Sequence, residues 1–86
     1  FELRSVVNPF NSSLYFDISA PGDMRIEAEV LDMFGAVVKR KSYMVHSGVN
    51  MLMMPDLGAI PAGNYIFRVK NNNQILARKI VKGTNL

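Results

Sequence analysis

Apolar residues recur at every second position along much of this chain. Tyr65, Phe67 and Val69 alternate with Ile66, Arg68 and Lys70, and a period of two sets the aromatics and the valine on one face and the two cations on the other. Leu14, Phe16 and Ile18 alternate with Tyr15, Asp17 and Ser19, and Ile26, Ala28 and Val30 with Arg25, Glu27 and Glu29. Between these runs stand residues that break regular structure. Asn8-Pro9 ends a strand expected from Glu2 to Val7, because proline cannot donate to a ladder and holds its predecessor extended. Ala20-Pro21-Gly22-Asp23 and Asn71-Asn72-Asn73 have turn chemistry, and Asp32 and Gly35 are spaced to shape a tight connection. A returning strand is expected from Ala36 to Tyr43, at an edge because Lys39-Arg40-Lys41 blurs its alternation. Gly48 opens an apolar run, Val49 to Met54, that Pro55 closes. Pro61 and Gly63 precede Tyr65, and a last strand begins near Ile75.

About seven short strands with turns every 8–12 residues predict an all-β, antiparallel sandwich. No segment has helical periodicity. Without a Cys…Trp…Cys pattern an antibody-type domain is not expected, and a fibronectin-III-like or related Ig-like sandwich fits better. At 86 residues the chain, residues 1–86, is read as a single domain with one core. It starts at Phe1 without a methionine, and we read it as excised from a longer secreted protein.

Composition narrows the chemistry. There is no cysteine, so no disulfide or thiolate site staples the fold. No apolar run approaches the roughly 18 residues of a membrane span, and no membrane insertion is expected. His46 is the single histidine and has no ligand-spaced Cys, Asp or Glu, so no metal or other cofactor is expected. Ser47 lacks a nucleophile elbow, and Glu27 and Glu29 read as an exposed, solubilising pair. The chain is therefore read as non-enzymatic. The net charge is +3, concentrated after Leu57 in Arg68, Lys70, Arg78, Lys79 and Lys82. Nucleic acid is not the expected partner, because Tyr65 and Phe67 face away from Arg68 and Lys70 whereas a stacking platform needs rings and cations together. A carbohydrate-binding or spacer sandwich is the alternative. It would show a row of exposed aromatics, for which Tyr15 and Tyr43 are the outward candidates.

Asn8-Pro9-Phe10, Leu31-Asp32-Met33-Phe34-Gly35, Gly48-Val49-Asn50, Ala62-Gly63-Asn64-Tyr65 and Arg78-Lys79-Ile80-Val81-Lys82 follow one another in order. This series resembles the type A C-terminal sorting domain of the type IX secretion system of Bacteroidetes, from about Val7 to Lys82. The resemblance implies an Ig-like sandwich that directs a cargo protein from the periplasm through an outer-membrane translocon, with a shuttle protein. It also implies a surface sortase that removes the domain while attaching the cargo to anionic lipopolysaccharide. The positions that carry the match are Asn8, Pro9, Asp32, Gly35, Gly48, Asn50, Gly63 and Tyr65, expected to define the fold. The chain adds Gly83-Thr84-Asn85-Leu86 beyond the lysine near which family members often end.

Two stretches are candidate contacts for the export machinery. Arg78, Lys79, Ile80, Val81 and Lys82 form a basic closing strand of mixed burial, placed to add to a partner's sheet if it lies at an edge. Met51 and Met53 point opposite to Leu52 and Met54, so the strand has two apolar faces. Either both are covered, or the methionines form an exposed, adaptable row suited to docking or self-association.

Overall fold

A computed structural model of the chain describes residues 1–84; Asn85 and Leu86, the end of the added tail, lie outside the described residues. Seven antiparallel strands run in order: β1 (Glu2–Val6), β2 (Leu14–Ala20), β3 (Met24–Leu31), β4 (Val37–Val45), β5 (Gly48–Met54), β6 (Gly63–Lys70) and β7 (Ile75–Lys82). They form a three-stranded sheet, β1-β2-β5, packed on a four-stranded sheet, β4-β3-β6-β7. The fourth strand pairs with the third and not with the fifth, which separates the molecule from constant-type immunoglobulin domains and suits the fibronectin-III-like expectation. The strand expected to end at Tyr43 continues to Val45, which is fully buried.

The alternating residues meet as the pattern requires. Phe16, Ile18 and Leu14 from one sheet face Ile26, Ala28, Val30, Phe67 and Val69 from the other, all buried. Phe16 is the centre of the contact: its ring lies edge-on to Phe67 at 4.8 Å and to Tyr43 at 5.5 Å, the geometry that aligns ring edge with ring face. Tyr43 is thus turned inward, partly buried, which corrects its reading as an outward aromatic. Its Oη donates to the Met53 carbonyl at 2.8 Å and ties β4 to β5 across the sandwich.

The other lateral opening, between β1 and β7, is closed by the link that follows β1. Phe10 enters the core and meets Tyr65 edge-on at 6.4 Å. The same segment runs parallel to the end of β7, bridging Phe10 to Lys82. Asn8 Oδ1 accepts from the Val81 N–H at 2.7 Å, Phe10 N–H donates to the Val81 carbonyl at 3.0 Å, and Gly83 N–H donates to the Phe10 carbonyl at 2.8 Å.

Candidate functional site

The motif residues sit at the joints of the sandwich. Asp32 follows β3, and its Oδ1 accepts from the Phe34 and Ala36 N–H groups, each at 2.9 Å. This Asx arrangement lets Gly35 take φ 88°, a left-handed conformation that costs glycine little. Asn50 organises the corner between β4 and β5. Its Oδ1 accepts from the His46 N–H at 3.0 Å, and its Nδ2 donates to the His46 carbonyl at 2.8 Å and to the Ile18 carbonyl at 3.3 Å. Gly48 turns there with φ 98°. Tyr65 is buried, and its Oη donates to the Pro61 carbonyl at 2.6 Å, fixing the loop that leads through Gly63 into β6. Asn8, next to Pro9, anchors β7 as described. Each of these side chains is engaged with the chain's own backbone.

Burial divides the basic closing strand. Ile80 and Lys82 face the core, 1% and 3% exposed, and are unavailable to a partner; this corrects their place among surface contacts. Arg78 is exposed, but its guanidinium donates to the Leu3 carbonyl at 3.0 Å. Lys79 and Val81 remain on the outer face. The strand does lie at the edge of its sheet, yet at Val81 that edge is already taken by Asn8 and Phe10.

The methionine row is open. β5 is the edge of the smaller sheet, Met54 is fully buried beneath it, and Met51 is 84% exposed on the other side with Val49 and Met53. Tyr15, the cross-strand partner of Met53, extends this exposed apolar row onto β2. Asp17, the cross-strand partner of Met51, shares this face and accepts from the Ser5 hydroxyl at 3.0 Å.

The sequence reading missed two features. Glu29 is fully buried instead of solubilising. Its register partners Arg40 on β4 and Arg68 on β6 fold over it, with Nη2–carboxylate distances of 2.7 and 2.8 Å, and Lys70 adds a third cation at 3.5 Å. Burial pushes the Glu29 carboxyl up, but the bonds from Arg68 and Arg40 and the nearby charges of Arg68 and Lys70 outweigh it and hold the pKa below its ordinary value. The signal was present, since the cross-strand neighbours of an outward glutamate were both arginines, but strand pairing is needed to see it. The second is Phe34, 97% exposed at the tip between β3 and β4, where its place within a turn gave no indication of burial either way.

Among the described residues no group of three His, Cys, Asp or Glu could hold a metal ion. The His46 imidazole pairs, among the described residues, with Asp23, through Nδ1 at 3.1 Å on the exposed surface. Tyr43, turned inward, does not stand beside Tyr15 as the second outward aromatic expected of a sugar platform.

A family model described as "Secretion system C-terminal sorting domain" matches residues 8–83 of the chain. No curated protein and no solved structure matches it.

Proposed function

The chain belongs to the secretion system C-terminal sorting domain family, a type IX secretion signal, and on that footing we propose that it acts as a non-catalytic passport recognised through its folded surface. The carrying observation is the match across residues 8–83. In this reading the domain passes from the periplasm through the outer-membrane translocon with the shuttle protein. A surface sortase then removes it as the cargo is joined to anionic lipopolysaccharide. The contacts are made by the exposed part of the closing strand, Lys79 and Val81 with Arg78, and by the Met51 and Met53 row. The motif residues serve recognition indirectly, because they hold these two surfaces in place.

The test is export of a fluorescent reporter with a signal peptide in front and residues 1–86 behind, in a type IX-competent bacterium. Deleting the closing strand is a poor control, since it removes Ile80 from the core. Lys79→Glu combined with Met51→Glu changes the surface and keeps the core. Surface display that is lost in a translocon-deficient strain and reduced by the double substitution supports the proposal. A reporter that stays in the periplasm with its sandwich folded overturns it.

A further inference from the structure

The sandwich has four lateral edges, and three of them are blunted. β1 is short, five residues, and is bound to the β7 side through Arg78. The end of β7 is paired by Asn8 and Phe10. β4 carries Lys39, Arg40 and Lys41, the kind of charged run that keeps sheet edges apart. β5 has none of these devices: Gly48-Val49-Asn50-Met51-Leu52-Met53-Met54 contains neither a charge nor a proline.

Backbone directions along β5 follow from the register. The Val7 N–H donates to the Tyr15 carbonyl, so Tyr15, Asp17 and Ser19 point their backbone groups at β1. Leu14, Phe16, Ile18 and Ala20 therefore point theirs at β5, where they oppose Met54, Leu52, Asn50 and Gly48. The N–H and C=O groups of Val49, Met51 and Met53 face away from the sheet. The Tyr43 hydroxyl on the Met53 carbonyl confirms that direction and caps one acceptor. The groups of Val49 and Met51 form an uncapped ladder edge.

What would lie against that edge is set by β4. Lys39 and Lys41 share the inward side of their sheet with Val30 and Ala28, their register partners, yet Lys41 is exposed and Lys39 only partly covered while Val30 and Ala28 are fully buried. The larger sheet thus projects past the smaller one as a ledge. Lys41 Nζ stands 5.5 Å from the centre of the Tyr43 ring, whose hydroxyl touches Met53, so the cationic ledge lies at the Met53 end of the open edge. Among the described residues neither lysine is in a salt bridge.

We propose that β5 is a strand-addition site for an extended protein segment in which apolar side chains alternate with carboxylates. Such a segment would bond to Val49 and Met51 as a fourth strand of the smaller sheet. Its apolar residues would continue the Val49, Met51 and Met53 row, and its carboxylates would face Lys41 and Lys39. A second copy of the chain fits less well: β5 paired with itself offers no carboxylate to the ledge and brings two cationic ledges together. The site stands on this geometry and not on the export reading, so a binding measurement decides it whatever an export assay returns.

The probe is a blocked octapeptide alternating valine and glutamate, titrated into the 86-residue chain and followed by amide NMR shifts and hydrogen exchange; an octapeptide alternating valine and lysine is the control. The expected result is shifts and exchange protection at Val49 and Met51, with binding about tenfold weaker in the Lys39→Glu, Lys41→Glu variant. Methylating the peptide nitrogens that face β5 should abolish binding with the protein unchanged. The proposal is overturned if the lysine peptide binds equally well, if the shifts fall on β4 or β7, or if no binding occurs at millimolar peptide. It is likewise overturned if Val49 and Met51 become protected with rising protein concentration alone, which would make a second copy the occupant.

Discussion

Glu29 is the residue whose environment departs most from its position in the alternation. A carboxylate on the outer side of a sheet is ordinarily wet, but here two arginines and a lysine cover it. Because its folded pKa lies below the ordinary 4.5, the contribution of the charged form is complete above that pH and is lost as the pH falls through the folded value. Glu29→Gln keeps the volume and removes the charge, and is expected to lower stability at neutral pH by about 2 kcal/mol. The gap between the urea midpoints of the parent and the variant should narrow as the pH falls below 4.5. Tyr43 gives the opposite dependence. Burial pushes its phenol up from 10.0 to about 12, so its contribution is complete below pH 10 and is lost as the pH rises through about 12. An ultraviolet titration should show a late phenolate component near pH 12 that is missing in Tyr43→Phe.

At the scale of the strand, alternation was sufficient where one side of a sheet is dry and the other at least partly wet. β2 and β6 have that character, and their inward and outward residues were legible from spacing alone; in β3 the inward set was equally legible, but the outward Glu29 is covered. β5 was not, because both of its sides are apolar, and only its place at the edge of the smaller sheet shows which side is covered. β7 was ambiguous for a related reason. Its alternation correctly grouped Arg78, Ile80 and Lys82, but a lysine stem packs along apolar surface, so charge gave no guide to which group faces the core. The difference has a direct consequence for mutagenesis. Ile80→Asp should unfold the domain, since it buries an unpaired charge, whereas Lys79→Glu one residue away should stay within about 0.5 kcal/mol of the parent. Thermal melting by circular dichroism separates the two. The candidate docking row was legible as a composition of methionines, while the ledge beside it was not, because it exists only once the sheets differ in width.

For the molecule as a whole, the parallel pairing of the Asn8–Phe10 link with the end of β7 fixes how the domain bears a load. Tension applied between Phe1 and the chain beyond Lys82 draws these two segments in opposite directions along their lengths. The bonds Asn8–Val81, Phe10–Val81 and Phe10–Gly83 are then sheared together instead of being peeled apart one after another. Forced unfolding is governed by the rate of crossing that barrier and not by equilibrium stability. Asn8→Ala should therefore lower the rupture force in single-molecule pulling from the two ends by more than its loss of about 1 kcal/mol at equilibrium implies. The sandwich is built as a mechanical clasp, which holds against a lengthwise pull and opens when the load is turned to peel its edge.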